Sequence, residues 1–177
     1  MLVARSSLEC HLYIQFQGCT CGAPASGLAH RLVQREGRLC AAYAGTCGRC
    51  ARPLEFVFVL ADEIVSASQF GGAEPSQIID AGQYLETSIL AATAVPADFR
   101  GLTALQRDQG LQSLRRAIAA LEEVLKFIPP GADAVPESAF FTPAGRAVRA
   151  REPGRFGCER LLAVLGSYRL SLRTLGS

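Results

Sequence analysis

Tryptophan is absent, methionine and lysine occur once each, and His11 and His30 are the only histidines among 177 residues. Each shortage excludes something. Neither histidine has a recognisable catalytic partner in sequence, and no H-E-x-x-H helix, G-x-S-x-G elbow, Walker loop or dinucleotide fingerprint occurs. Aromatics make up 7% of the chain, too few for a series of base-stacking platforms. No apolar run approaches the roughly 18 residues that span a bilayer, and Phe56–Leu60 reads as a buried strand. A net charge of +2 rules out a bulk polycation. Nothing resembling a signal peptide precedes Cys10, so the expectation is a cytoplasmic protein without membrane contact.

Seven cysteines are present, and four of them form two close pairs, Cys19-Thr20-Cys21 and Cys47-Gly48-Arg49-Cys50. A tetrahedral Zn²⁺ takes four sulfurs at about 2.3 Å, so two short pairs brought face to face make a structural site. Between them, Leu28–Arg35 and Arg38–Ala44 read as strands joined at Glu36-Gly37. Such a hairpin returns both arms to one base, where the pairs sit. Gly22 and Gly48 are the positions where the backbone is expected to wrap closely and aim N–H groups at sulfur. Cys40 lies near the hairpin tip, on the order of 20 Å from that base at strand rise, and is expected to be buried and metal-free. Cys10 and Cys158 read as core residues. His30 falls mid-strand and makes a poor ligand, and His11 belongs to an alternating run, Cys10–Gln17, that reads as a strand.

Two other uses of the thiols stay open. A C-x-x-C redox motif should open a helix, whereas Cys50 is followed by Pro53 and the strand-like Leu54–Leu60. A disulfide framework fits poorly with an odd cysteine count in a chain read as cytosolic.

The chain divides near Phe70. Residues 1–69 read as an antiparallel β module, and residues 70–177 as a helical region of about three helices packed on it, an α+β arrangement. Asp80 and Gln83 form a capping box for a helix to about Ala94, and Gly82 permits a close neighbour. Thr103 and Gln106 cap a second helix that Pro129-Pro130 ends, with Leu111, Leu114, Ile118, Leu121, Leu125 and Ile128 as its apolar stripe. The third runs over Phe156–Leu172.

Charge is segregated: residues 1–54 carry +4, residues 55–143 carry −7 and residues 144–177 carry +5. Arg146, Arg149, Arg151 and Arg155 either contact phosphate or pair with the acidic middle. Asp62, Glu63, Glu74 and Asp80 offer carboxylates for acid–base work or Mg²⁺, although adjacent acids on a loop usually face solvent, and no residue is assigned a catalytic role.

Residues 19–50 resemble the zinc-ribbon class, through the four cysteines and the hairpin between them. The segments Phe70-Gly-Gly-Ala-Glu-Pro-Ser-Gln-Ile-Ile-Asp-Ala-Gly and Glu152-Pro-Gly-Arg-Phe resemble those of uncharacterised bacterial zinc-ribbon-plus-helix proteins. The resemblance implies a metal and an architecture, with no activity attached. The expectation is a structural-zinc protein whose partner is another protein, as adaptor, immunity-type partner or assembly subunit. The alternative is a nucleic-acid binder using Arg31, Arg35, Arg38, Arg49 and Arg52. A small enzyme or thiol redox protein is the third reading.

Overall fold

The described residues, 1–61, 65, 66 and 68–175 of a computed structural model, form a mixed α+β protein with one four-stranded sheet and five α-helices. Two compact units divide the chain: Met1–Gly72 with Ser76–Ile78, and Ala73–Pro75 with Ile79–Ser177. Among the described residues no helix is long and apolar enough to cross a membrane.

The first unit contains β1 (Leu2–Ala4), α1 (Ser7–Gln17), β2 (Ala29–Arg35), β3 (Arg38–Thr46) and β4 (Pro53–Leu60), with the sheet ordered β1-β4-β3-β2. Glu36 and Gly37 turn the β2–β3 hairpin with φ of 53° and 75°, the pair of positive values that a type I′ turn needs. Pairing of Arg35 with Arg38 and of Ala29 with Ala44 follows from that turn. β4 pairs antiparallel with β3, Ala44 opposite Glu55 and Thr46 opposite Pro53. The expected module was wholly antiparallel, but β1 adds a parallel strand along β4.

The predicted strand over Cys10–Gln17 is the helix α1. Its alternation of Cys10, Leu12, Ile14 and Phe16 mimics a strand, but the Ser6 hydroxyl caps the helix by accepting the Glu9 N–H at 3.1 Å. At the other end Gly18, with φ 57°, returns its N–H to the Ile14 carbonyl. Glu9 is fully buried and holds Arg5 through its backbone N–H at 2.6 Å, its Nη2 at 2.6 Å and its Nε at 3.0 Å. α1 lies on the sheet face carrying Tyr43 and Phe58, with Tyr13 edge-on to Phe58 at 5.5 Å and His11 edge-on to Tyr43 at 5.3 Å.

Cys10 is buried beneath this cluster, and burial pushes its thiol up to about 12 against a hydrogen bond from Tyr43. Burial, with Cys10 beside it, likewise pushes the Tyr43 hydroxyl up to about 12. Both groups are neutral in the folded state. A raised acid holds its proton when the unfolded chain releases it, so this contribution is complete below the unfolded values and fades as pH rises past about 9. Urea midpoints should therefore fall between pH 8 and pH 10.5, and less steeply in Cys10→Val; equal slopes would remove Cys10 from the account.

The second unit holds α2 (Ala81–Thr93), α3 (Ala104–Lys126), α4 (Pro143–Arg151) and α5 (Cys158–Leu175), with short 3₁₀ turns at Glu137–Ala139 and Pro153–Phe156. Both expected capping boxes are present, Asp80 with Gln83 and Thr103 with Gln106. The α3 stripe buries Leu114, Ile118 and Leu121 and adds Ala117, Ala120 and Val124, which lets neighbours approach closely. Ser88 of α2 donates to the Ala117 carbonyl at 2.8 Å across that contact.

Four α-helices stand where about three were expected. α4 escaped because its nine residues carry three arginines and bury only Gly145 and Val148; its signal was Thr142 as N-cap before Pro143. Gly82 does admit a neighbour: a Cβ there would sit 2.5 Å from the Gly145 carbonyl oxygen. The basic segment is engaged within this unit. Arg146 donates to the Phe140 and Phe141 carbonyls, and Arg149 pairs with Glu137 at 3.1 Å and lies over the Phe140 ring. Arg151 pairs with Glu86 at 3.2 Å, and Arg155 with Glu152.

Candidate metal centre

The hairpin register brings the two cysteine turns to one end of the sheet. Residues 19–23 lead from α1 toward β2, residues 47–52 join β3 to β4, and Ala29, Ala44 and Glu55 align near that end. There the sulfurs of Cys19, Cys21, Cys47 and Cys50 lie within 4.8 Å of one another. The Cys19–Cys50 and Cys21–Cys47 Sγ separations are both 3.6 Å. That is far beyond a disulfide bond of about 2.05 Å, and close to the edge of about 3.8 Å of a tetrahedron built on 2.3 Å metal–sulfur bonds. The four cysteines can hold a metal ion.

The unequal spacings C-x-C and C-x₂-C are reconciled by the backbone. In the first turn the Cys19 N–H reaches the Ala23 carbonyl at 2.8 Å, and the Gly22 N–H reaches the Cys19 carbonyl at 2.8 Å. In the second the Cys47 N–H reaches the Arg52 carbonyl at 2.8 Å, and the Ala51 N–H reaches the Cys47 carbonyl at 2.9 Å. Both turns close between the first cysteine and the residue two beyond the second, so one is the other with a residue removed. The residue directly after the last cysteine is left-handed in each: Gly22 at φ 81° and Ala51 at φ 55°. The reversal expected at Gly48 stands at Ala51, because closure places it after the last cysteine, and the N–H groups aimed at the Cys47 sulfur are those of Cys50 and Arg49.

Electrostatics of the site follow from the same turns. The Cys21 backbone N–H holds the Cys19 thiol below its ordinary range. The N–H groups of Cys50 and then Arg49 bring Cys47 down to about 6. Cys21 goes the other way: the Ala23 N–H favours its thiolate, yet burial together with Cys50, Cys19 and Cys47 pushes it up to about 12. Four thiolates packed so closely repel one another unless a cation joins them, and soft sulfur donors in a tetrahedron suit zinc or iron.

Cys10, Cys40 and Cys158 stand outside the cluster, as does His30, which stacks on Tyr43 at 4.7 Å. Cys10 and Cys40 are fully buried, and Cys158 is half-buried.

The five candidate arginines divide into two groups. Arg49 donates to the Cys21 carbonyl at 3.3 Å and Arg52 to the Thr20 hydroxyl, so both guanidinium groups brace the first turn from the second. Sequence spacing does not announce that role. Arg31, Arg35 and Arg38 instead share one face of the β2–β3 hairpin by strand alternation, with Arg35 paired to Glu55 at 3.4 Å on the surface. Of the candidate carboxylates, Asp62 and Glu63 lie outside the described residues. Asp80 is committed as an acceptor of hydrogen bonds from Gln83 and Thr142.

No protein-family model matches the chain, and comparison with curated proteins and with solved structures finds no match either.

Proposed function

We propose that the four thiolates hold one Zn²⁺ as a structural ion and that the first unit is a zinc-ribbon-like module presenting its β2–β3 hairpin to a protein partner. Four sulfur ligands leave a tetrahedral ion no open position for substrate, which favours scaffold over catalyst. The observation that carries the interaction reading is β2 itself. It is one of the sheet's two edge strands, and six of its seven residues are exposed. Leu32 and Leu39 are 58% and 53% exposed and share one face, opposite Ala41 and Gln34. An edge strand with apolar side chains on one face and arginines on the other fits an acidic segment that adds a strand.

Two measurements test this. Elemental analysis of protein purified without added metal should give one zinc per chain; iron, or no metal, would overturn the ion assignment. The wild-type chain should retain a stoichiometric protein partner from its source cell, and Leu32→Glu/Leu39→Glu should lose that retention at least tenfold with zinc unchanged. Equal retention by both proteins would sink the hairpin as the contact.

The co-facial Arg31, Arg35 and Arg38 favour nucleic-acid binding as a second reading. It requires an affinity that falls steeply between about 50 and 200 mM salt, and a salt slope reduced when the three arginines are replaced by alanine.

A further inference from the structure

The helical unit carries a solvent-open cavity of about 120 Å³ among α2, α3 and α5. Its floor is apolar, with Leu85 and Ile89 from α2, Leu121 from α3 and Leu161 from α5. Four polar residues also line it, and their states differ: the Ser88 hydroxyl of α2 is taken by the Ala117 carbonyl. Arg155 is occupied by Glu152. Arg160 lines the cavity and is exposed, and among the described residues it has no ion-pair or hydrogen-bond partner. The Tyr168 hydroxyl, on the same helix, likewise lacks a hydrogen bond among the described residues and is half-buried.

We propose that this cavity binds a small amphiphilic carboxylate, its tail a chain of about four to six carbons or a single ring. The size follows from volume, since an apolar cavity of about 150 Å³ accommodates benzene. The charge follows from Arg160, whose free guanidinium matches a carboxylate with two parallel N–H bonds, while the Tyr168 hydroxyl donates a third. A second hollow of about 250 Å³ adjoins through Leu85, Ile89 and Arg155. It is lined by Leu90 and Val148 as well as by the Arg151–Glu86 pair and Glu152, but Arg160 and Tyr168 border only the first cavity, so the carboxylate is held there.

Calorimetric titration of the full, metal-loaded chain tests the assignment with four probes: hexanoate, benzoate, hexan-1-ol and acetate. Hexanoate and benzoate should bind with dissociation constants of about 1 mM. Hexan-1-ol, which lacks the charge, and acetate, which lacks the tail, should each bind at least tenfold more weakly. Arg160→Ala removes an exposed side chain without touching the fold, and should weaken hexanoate about tenfold while leaving hexan-1-ol unchanged. Ile89→Phe should fill the cavity and abolish binding of both acids. Hexan-1-ol binding as tightly as hexanoate, Arg160→Ala binding hexanoate unchanged, or no saturation by about 30 mM acid would each overturn the proposal.

Discussion

Cys47→Ser is expected to abolish metal binding and to melt β2 with both cysteine turns, leaving the buried strand β3 paired to β4. The Cys47 sulfur is buried and receives two backbone N–H groups from its own turn. It also lies 3.6 Å from the Cys21 sulfur of the opposite turn. A structural four-sulfur site contributes about 10–16 kcal/mol of apparent binding free energy, and that energy is folding energy. A domain's whole stability is about 5–15 kcal/mol. β2 buries none of its side chains fully, so without the ion little apolar burial replaces the loss. Metal content should fall to zero, and β2 amide exchange should accelerate at least a hundredfold.

Cys40→Ser is the control. Cys40 is buried in β3 opposite Val33 and Val59, remote from the cluster. It should cost about 1–3 kcal/mol for burying a hydroxyl and keep one metal per chain. A Cys40→Ser protein without metal, beside a Cys47→Ser protein that retains it, would overturn the ligand assignment.

Asp80→Ala is expected to destabilise the helical unit by about 3–5 kcal/mol, the sum of one buried and two half-buried donors left unsatisfied and partly rehydrated. The fully buried carboxylate accepts from the Gln83 N–H at 2.9 Å, the Thr142 N–H at 2.8 Å and the Thr142 hydroxyl at 2.6 Å. Thr142 in turn caps α4 through the Gly145 N–H at 3.0 Å. One side chain thus closes the N-termini of α2 and α4. Packing leaves no slack around it, since a Cβ on Gly145 would lie 2.0 Å from the Asp80 carboxylate. Asp80→Asn, which keeps the shape and one acceptor oxygen, should cost about 1–2 kcal/mol. Urea unfolding followed by helical circular dichroism checks both, and a loss below about 1 kcal/mol for Asp80→Ala would show that the two caps are independent.

Asp80 also marks the limit of reading chemistry from residue type. In sequence it is both a helix cap and a free carboxylate fit for catalysis. The capping box is local, three residues long, and stands as expected. The second role disappears because Thr142, 62 positions away, arrives to place two hydrogen bonds on Oδ2 and the carboxylate is fully buried. The arginines behave alike: Arg31 and Arg49 are equivalent by composition, yet one faces outward from a strand and the other braces the first cysteine turn.

Helix α1 shows the converse. Ser6 and Glu9 carry an N-terminal signal, but Cys10–Gln17 alternates apolar and polar residues at the strand period. Capping and the burial of Glu9 on Arg5 outweigh that alternation. In α4 the amphipathic stripe is too short to register, and close contact at Gly82 and Gly145 holds it instead.

What the sequence determined by itself is what acts over a few residues: the two close cysteine pairs, the Glu36-Gly37 reversal, both capping boxes and the apolar stripe of α3. These depend on covalent reach and on hydrogen bonds within one turn. Tertiary structure alone decided that Ala51 takes the left-handed conformation, that β1 joins β4 in parallel, and that Arg160, beside a largely apolar cavity, has no partner among the described residues while Arg155 has one. Each of those depends on burial and on partners brought together from distant positions, where the same residue type gains or loses a contact according to the face it occupies.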